Sequence, residues 1–383
     1  MLRRRSPQWK FDEFARVRNS LTQHTSAIRR TLGFLRSHPI LCLFFLTPGI
    51  PEYISGSSPV NAILLNPFLF VFQIVANAAL YLPGALLVRE AMIRWKKGWV
   101  SVLLLGAAYG ILEEGIALST LFNPNASPVG AFGTYGHWLG VNWVWVAGII
   151  PVHMIFSISL PILLLGLALP GTKGKSFLVS HKAMTATFSL LAIDVFALLL
   201  VVFYGEHFWM GWPIFVASIV AIGTLVLLAR IVPAKAFHAK TENPKITPLA
   251  SGILGVLVYP SVLLTEFGGM SAKLPAGITT LFVVAVQSFY LILVLRVLGQ
   301  KDNERQLITF AQGLILPLVA FGVLSQIELP LVLVVDVIMV LFFWKLWRKY
   351  GDGSIRRQYA PGGSATLSSV LNSLLLPEIG YKL

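Results

Sequence analysis

The sequence predicts an all-α bundle of about ten transmembrane helices, and three observations support this fold class. Hydrophobic residues make up 56% of the 383-residue chain and charged residues 12%, which is more apolar surface than a soluble protein of this length can bury. Apolar runs of about 20 residues recur, and that is the length a helix needs to cross the hydrocarbon. Short basic clusters separate alternate runs, as expected of signals that orient helices in a membrane.

The N-terminal segment, residues 1–33, is basic and amphipathic. It is typical of an interfacial helix on the anionic lipids of the cytoplasmic face, although a basic tail without fixed structure fits equally well. The bilayer and these anionic lipids are therefore the expected partners. From residue 8 to residue 36, the apolar side chains recur at spacings of three, four and seven, with arginines and lysines between them: Phe11, Phe14, Val17, Leu21, Ile28, Leu32 and Leu35.

The transmembrane domain, residues 34–348, is predicted to contain ten spans. The first is the least regular, because the stretch LTPGIPEYISG holds two prolines and a glutamate. This composition predicts a broken or re-entrant segment. The spans lie near residues 34–54, 66–88, 99–121, 143–169, 184–205, 212–231, 247–266, 277–297, 306–325 and 330–348.

Loop charges predict the orientation of these spans. The loops that follow the even-numbered spans are basic, whereas the opposite loops hold one basic residue, Lys273. This alternation places both termini in the cytoplasm and makes residues 349–383 a cytoplasmic tail of a multi-pass cell-membrane protein. The same clusters account for the net charge of +14, so nucleic acid is not an expected partner.

Motifs for several common chemistries are absent from the sequence. A single cysteine, Cys42, excludes an intrachain disulfide framework. There is no P-loop, no dinucleotide-binding glycine pattern after a soluble strand, and no HExxH or CxxC. Candidate chemistry must therefore come from ionisable residues inside the spans. Each costs roughly 2.5–3.5 kcal/mol to insert, and such residues usually mark a function or pair internally.

Three consecutive spans carry such residues at similar depth. With a rise of about 1.5 Å per residue, Glu113 lies roughly 12 Å, His153 roughly 15 Å and Asp194 roughly 16 Å below the outer ends of their predicted spans. This predicts one polar layer in the outer half of the bilayer. No arginine or lysine lies in that layer, so we expect its acids to be protonated, metal-bound or paired with His153.

The helical phase of the third span distributes its polar residues over two stripes. Tyr109 and Glu113 share one stripe, four residues apart. Glu114 follows Gly106 and Gly110 on the next stripe, whose small residues allow another helix to approach closely. Because neighbouring positions point about 100° apart, the two glutamates are not expected to face one narrow seam.

The fourth span places His153 and Ser157 near one face. A carboxylate, an imidazole and a hydroxyl at matched depth suit a centre that activates water, or a metal site. Glu113, His153 and Asp194 are therefore candidate ligands of a divalent metal.

The segment before the fourth span, residues 123–145, is aromatic and glycine-rich. Its tryptophans are typical of a belt at the membrane interface. Its glycines allow an alternative, in which the segment folds over the polar layer as a lid.

Paired glutamates on one span, followed by a histidine on the next, resemble the glutamate-dependent intramembrane proteases. This is the group that contains CAAX-prenyl endopeptidases and bacteriocin-processing enzymes, and it shows EExxxR, FxxxH and HxxxN motifs. Glu113 and Glu114 begin the first motif, with Leu118 at the position of the arginine. His153 ends the second, with Ile149 at the position of the phenylalanine.

For the third motif, His207 is the candidate, with Gly211 in place of the asparagine. The resemblance implies that Glu113 activates water and that Glu114 supports it or shares its proton. It implies further that His153 binds a metal or stabilises the developing oxyanion, with His207 as a second histidine of the site.

Three functions remain open from the sequence. The first is an intramembrane hydrolase that cleaves a membrane-embedded peptide. The second is an ion- or proton-coupled transporter, because the first and seventh spans contain proline breaks. If the ten spans form two inverted halves, Asp194 in the fifth span also corresponds to Asp336 in the tenth. The third is a membrane scaffold without enzymatic activity, whose acids simply pair with one another.

Overall fold

The structure, a computed structural model, describes residues 38–236, 246–298, 304–325 and 331–351. Within these ranges the chain is an all-α bundle, and eight helical stretches are long and apolar enough to cross a membrane. The protein is therefore an integral, multi-pass membrane protein. The predicted N-terminal amphipathic segment and almost all of the predicted cytoplasmic tail lie outside the described residues.

The first predicted span is broken, as its prolines indicated. It begins as helix α1 (Pro39–Pro48) and continues as the π-helix π1 (Gly49–Ile54), which together form a short apolar stretch. A single further turn, α2 (Ala62–Leu65), precedes the first membrane-length helix.

The eight membrane-length stretches coincide with predicted spans two to nine. They are α3 (Pro67–Arg94); α4 (Trp99–Gly110) with its π-helical extension π2 (Ile111–Ala117); the continuous run of α5 (Trp143–Val152), π3 (His153–Ser159) and α6 (Leu160–Ala168); α7 (His181–Gly205); α8 (Trp212–Ile231); α9 (Pro248–Ser271); α10 (Ala276–Leu298); and α11 (Glu304–Ser325). Helix α12 (Val332–Gly351) occupies the region of the tenth predicted span.

Three helices widen from α to π geometry, at π1, π2 and π3. Pro51 lies inside π1, and Pro151 lies two residues before π3. Proline has no N–H for the helical bond and its ring presses on the carbonyl four residues earlier, so a wider turn relieves the clash. Segments of π-helix are rare and occur frequently at functional sites. Each of these three carries ionisable residues of the site described below.

The chain between π2 and α5 forms a compact segment. It contains a 3₁₀ turn at Gly130–Gly133 and an antiparallel ribbon of β1 (His137–Trp138) and β2 (Val141–Asn142). The preceding helix ends at Ala117 instead of near residue 121 as predicted. Two residues later, Ser119 adopts a left-handed backbone conformation with φ of 55°, which turns the chain out of the helix.

The predicted break in the seventh span is not observed. Pro260 lies inside α9, yet the helix continues from Pro248 to Ser271. Transmembrane helices tolerate proline where neighbouring groups satisfy the freed carbonyl. A proline break is therefore confirmed for the first span and wrong for the seventh.

Helices α9 and α11 pack through glycines. A Cβ atom added at Gly313 would lie 2.2 Å from the carbonyl oxygen of Gly252, and one added at Gly255 would lie 2.4 Å from that of Phe310. The absence of side chains thus lets the two backbones touch, as in other closely packed membrane helix pairs. By contrast, α7 and α8 lie at the periphery, with most of their residues unburied.

Replacing Gly313 by alanine is expected to lower the free energy of unfolding by about 1–3 kcal/mol, because the new methyl group has no space against the α9 backbone. Gly223→Ala in α8 is the matched control, since no atom lies within 4 Å of its added Cβ. Reversible unfolding of the purified chain in mixed micelles measures both effects. Equal stability of the two variants would contradict the close contact between α9 and α11.

Candidate active site

Two of the π-helical segments bring Glu113, Glu114 and His153 together. Their ligand atoms lie within 4.8 Å of one another, and the three residues are 1%, 6% and 4% exposed. In the part of the chain that the structure describes, the ion-pair partner of both glutamates is His153, with no arginine or lysine beside them. The centre of the site is therefore a buried group of two carboxylates and one imidazole.

The imidazole of His153 lies between the two carboxylates. Its Nε2 is 2.7 Å from Oε1 of Glu114, and its Nδ1 is 2.9 Å from Oε2 of Glu113. Nδ1 also lies 3.0 Å from the hydroxyl oxygen of Ser157 and forms a hydrogen bond with it. Oε2 of Glu113 contacts Nδ1 as an ion-pair partner but accepts no hydrogen bond of regular geometry. Glu114 is thus held by a hydrogen bond to the ring, whereas Glu113 is held by the ion pair.

The prediction that the two glutamates do not share one seam is wrong at this site. An imidazole has nitrogens on opposite edges, so one ring contacts a carboxylate on each side. The wider turn of π2 also brings consecutive side chains closer in direction than the about 100° of an α-helix. The local helix geometry, which periodicity alone does not reveal, therefore changes which residues meet.

The predicted glycine stripe is confirmed as a contact surface. A Cβ atom at Gly110 would lie 3.2 Å from Cβ of His153, and one at Gly106 would lie 3.0 Å from Cα of Met154. Because α4 and π3 approach this closely, the carboxylate of Glu114 reaches the imidazole directly.

The segment between π2 and α5 covers the group. The hydroxyl of Thr120 donates a short hydrogen bond to Oε2 of Glu114, and Nε1 of Trp145 donates to the Thr120 hydroxyl at 3.2 Å. The buried Asn142 side chain holds the segment by donating to the carbonyls of Thr120, at 2.8 Å, and Asn123, at 3.1 Å. These bonds support the interpretation of the segment as a lid.

A third glutamate, Glu52 of π1, faces the group from another side. It accepts hydrogen bonds from the hydroxyls of Tyr81 and Ser58, both at 2.6 Å. It also lies within electrostatic range of Glu113 and His153. Sequence reasoning missed its role, because the helical register of a proline-broken span cannot be assigned; the glutamate between those prolines was the signal that could have identified it.

Tyr109 and Asp194 complete this side of the site. Tyr109 is 4% exposed, and its hydroxyl has no hydrogen-bond partner. Glu52, Glu113 and Asp194 all lie within electrostatic range of the phenol. Asp194 of α7 is half-buried, and its Oδ2 is buried without a partner. Glu113, His153 and Asp194, which were predicted to share one layer, therefore lie in the same region of the fold, with Glu113 near both of the others.

Two predicted site residues lie elsewhere. His207 follows the end of α7 at Gly205, is exposed, and has a left-handed backbone with φ of 53°. The structure does not bring it to the group of Glu113, Glu114 and His153, because the helix ends before it. Asp336 is buried on α12 with both carboxylate oxygens unpartnered, and it does not belong to the group around His153.

Glu113, Glu114 and His153 are the described residues whose arrangement fits a metal ion. Of the predicted ligands Glu113, His153 and Asp194, the first two belong to this group, and its third member is Glu114. Tetrahedral ligands bound at about 2.0–2.2 Å lie about 3.4 Å apart. The contacts of 2.7 and 2.9 Å are made by opposite ring nitrogens of His153, and an ion binds one of them, so the ring would have to release one carboxylate to admit an ion.

No protein-family model, curated protein or solved structure matches this chain. The functional interpretation therefore rests on the buried group and the residues around it.

Proposed function

We propose that the protein is an intramembrane hydrolase that cleaves an amide bond of a membrane-embedded peptide, with Glu113 as the general base. The observation that carries this proposal is the buried, unpartnered Oε2 of Glu113 beside the imidazole of His153. A general base needs an acceptor atom that no hydrogen bond occupies and a fixed orientation; Oε2 of Glu113 accepts no hydrogen bond, and its ion pair with His153 orients it. The resemblance of its motif to glutamate-dependent intramembrane proteases agrees with this role.

The reaction begins when Oε2 of Glu113 takes a proton from water, whose oxygen then bonds to the carbonyl carbon of the substrate amide. The electron pair of the carbonyl bond moves to its oxygen and forms a tetrahedral oxyanion. Collapse of this species breaks the carbon–nitrogen bond, and the proton held by Glu113 passes to the leaving nitrogen. The products are a carboxylic acid and an amine.

The Tyr109 hydroxyl is the donor best placed for the oxyanion. It is buried beside Glu113, and no hydrogen bond of regular geometry fixes its direction. A preorganised donor in a water-poor site stabilises developing charge more strongly than the same donor in water. His153 does not take this role, because both of its ring nitrogens are engaged. Its role is to hold the two glutamates in position.

Glu113, Glu114 and His153 would hold a divalent metal, for which His153 would release one of its present partners and offer that ring nitrogen. When bound, such an ion would act as a Lewis acid and lower the pKa of its water. The absence of any arginine or lysine pairing with these glutamates, among the described residues, favours this occupancy.

We expect the purified chain, after exposure to zinc and removal of excess ion, to retain about one metal per molecule at this site. Elemental analysis by mass spectrometry measures the ratio. His153→Ala is expected to lose the ion, whereas Glu266→Gln is expected to keep it, because Glu266 is a buried acid of α9 outside the group. Equal metal content in wild type and His153→Ala would refute a metal centre here.

Hydrolysis is tested with the purified chain in liposomes and a library of synthetic apolar peptides long enough to span the bilayer. Mass spectrometry of the lipid extract is expected to show pairs of products whose masses sum to that of the parent peptide plus one water. If no peptide in a broad library is cleaved by a folded chain, the proposed function is wrong.

Transport is the second candidate, and one observation favours it. Glu52 enters the site on a helix that is short and broken, and transporters build their midplane sites from such helices. Flux of protons or sodium into proteoliposomes, lost on Glu52→Gln and unaccompanied by any peptide cleavage, would establish transport in place of hydrolysis.

We further propose that the short stretch Pro39–Ile54 and helix α12 complete ten crossings of the cell membrane, with both termini in the cytoplasm. The alternation of basic loops supports this topology. Cysteines introduced at Lys273 and Lys96, in a Cys42→Ser background, provide the test. An impermeant thiol reagent on intact cells is expected to label the first and not the second. The reverse pattern would exclude this orientation.

A further inference from the structure

Both carboxylate oxygens of Glu114 are hydrogen-bonded, and the two bonds involve different parts of the chain. Oε1 lies 2.7 Å from Nε2 of His153. Oε2 accepts a short hydrogen bond from the hydroxyl of Thr120, and that hydroxyl lies 3.2 Å from Nε1 of Trp145. The hydrolytic reaction proposed above uses the bond to the imidazole. It assigns no role to Thr120 or to the indole behind it.

The direction of the second bond follows from the chemistry of the indole. An indole N–H can only donate, so the oxygen of Thr120 accepts the bond from Trp145. The hydroxyl then has one hydrogen to donate. Its acceptors are Oε2 of Glu114, in the short bond, and the backbone carbonyl of Glu114, at 3.3 Å. Because the carboxylate is the nearer acceptor, the chain of bonds runs from the indole N–H through the hydroxyl to Oε2.

The backbone returns Thr120 to Glu114, although the threonine comes six residues later in the sequence. Ser119, with its left-handed φ of 55°, turns the chain just after the end of π2. The carbonyl of Thr120 then accepts a hydrogen bond of 2.8 Å from the buried side chain of Asn142. On the other side, the N–H of Leu121 donates to the carbonyl of Glu114 at 3.2 Å. The hydroxyl of Thr120 is therefore held toward the carboxylate.

Trp145 and His153 lie on the same helical run, in α5 and at the start of π3. They are eight residues apart, and two α-helical turns take about 7.2 residues, so both residues lie near one face. The Trp145 ring also stacks on the buried ring of Phe132, with 6.5 Å between centroids. One helical run thus supports Glu114 at both oxygens, directly through the imidazole and indirectly through Thr120.

We propose that Thr120 and Trp145 are positioning residues, which hold the carboxylate of Glu114 against the imidazole of the site. The terminal torsion of a glutamate is broad, so a carboxylate held at one oxygen still rotates, whereas one held at both does not. A fixed Glu114 in turn fixes the ring of His153, which forms the ion pair with Glu113. As a statement about catalysis, this inference rests on the proposed hydrolase function. The chain of hydrogen bonds does not depend on that function.

The first test measures cleavage by the purified full-length chain in liposomes, with a peptide that the wild type cleaves. Thr120→Val keeps the shape of the side chain and removes its hydroxyl. We expect this variant to lower kcat about 10–100-fold and to leave KM unchanged, because loss of a residue that orients a site group costs about this much. Thr120→Ser keeps the hydroxyl and is expected to cleave nearly as fast as the wild type.

Two further variants complete this comparison. Trp145→Phe removes the N–H and keeps an aromatic ring against Phe132. It is expected to lower kcat by less than Thr120→Val, because the hydroxyl remains but loses the donor that directs it. Thr134→Val is the matched control, since the exposed Thr134 hydroxyl donates to the carbonyl of Ala131 at 3.0 Å in the same covering segment. It is expected to leave both kcat and KM unchanged.

A second measurement does not depend on hydrolysis. Solid-state NMR of the chain in liposomes, with histidine labelled with nitrogen-15, reports the hydrogen bond at each ring nitrogen. The signals of His153 are identified by their absence in His153→Gln. We expect its Nε2 signal to shift in Thr120→Val and in Trp145→Phe. In Thr120→Ser and Thr134→Val the signal is expected to keep its wild-type position.

Three results would overturn the positioning role. They are an unchanged kcat in folded Thr120→Val, an equal loss in Thr120→Ser, which would trace the effect to packing, and an unmoved Nε2 signal in Thr120→Val. If Thr120→Val does not fold, Trp145→Phe tests the same chain of bonds from its other end, and an unmoved signal there is equally decisive.

The two proposals fail in different ways. If the Nε2 signal behaves as expected while no peptide is cleaved by the wild type, the chain of bonds that holds Glu114 stands and the hydrolase function falls. If the wild type and Thr120→Val cleave peptides equally well, the hydrolase stands and the positioning role falls.

Discussion

Replacing Glu113 by glutamine is expected to abolish peptide cleavage while leaving the protein folded. The amide has nearly the shape of the carboxylate, but it does not accept a proton from water. Loss of a general base typically costs about 10²–10⁴-fold in rate. We expect the upper part of this range, because the described residues place no other unpartnered carboxylate oxygen beside His153. Cleavage of a peptide substrate in liposomes, followed by mass spectrometry, measures the effect.

Glu266→Gln is the control for this experiment. Glu266 is also a buried glutamate, 5% exposed, with one unpartnered carboxylate oxygen, but it lies on α9 against Gly148 and outside the group. We expect this variant to cleave at the wild-type rate. An equal loss of activity in both variants would show that the effect reflects general damage to buried acids and not the chemistry of Glu113.

Replacing His153 by alanine is expected to produce the largest loss of stability among the site variants. The substitution removes the group that lies between Glu113 and Glu114 and leaves two buried carboxylates without their shared partner. Removing one member of a buried ion pair typically costs about 3–5 kcal/mol. Reversible unfolding in mixed micelles, at a pH where the glutamates are ionised in the unfolded chain, measures the difference.

A second substitution distinguishes this explanation from a simple packing defect. Glu114→Gln in the His153→Ala background removes one of the two unpaired charges, so part of the lost stability is expected to return. Glu114→Gln alone is expected to destabilise the chain, because it weakens the bond to His153. If the double variant is no more stable than His153→Ala, or less stable, repulsion between the carboxylates is not the cause.

The periodicity of the sequence predicted much of the fold. Spans two to nine are confirmed as membrane-length helices, because long apolar runs leave the chain no other way to satisfy its backbone in lipid. These features depend on composition and on regular helical geometry, which a sequence displays directly.

The candidate site was predicted in part. The meeting of Glu113, His153 and Ser157 followed from depth and from the close approach allowed by Gly110. The joint contact of both glutamates with one ring did not follow, because the change from α to π geometry at Ile111 alters the direction of the side chains. Sequence periodicity assumes one helix type throughout, and the site is built where that assumption fails.

Glu52 and His207 both show that periodicity does not reveal where helices break and end: Glu52 was missed, and His207 was expected at a site that it does not reach. Glu52 lies on π1, which continues a short, broken helix. No regular hydrophobic repeat shows which way the side chains of such a helix point. His207 was a candidate through the resemblance to a family motif, but its helix ends at Gly205 and leaves it exposed. A residue's role in such a site is decided by where helices begin, widen and end, and those are the features that periodicity determines least well.

Hydrolysis in water enriched in oxygen-18 tests the central claim most directly. Membrane vesicles that contain the chain are incubated in this water, and peptides with labelled new C-terminal carboxylates are identified by mass spectrometry, so no substrate need be known in advance. We expect wild-type vesicles to yield peptides carrying one labelled oxygen, and Glu113→Gln vesicles with equal amounts of folded chain to yield none of them. Labelled peptides in equal amount from both vesicles, or none from the wild type, would contradict the account.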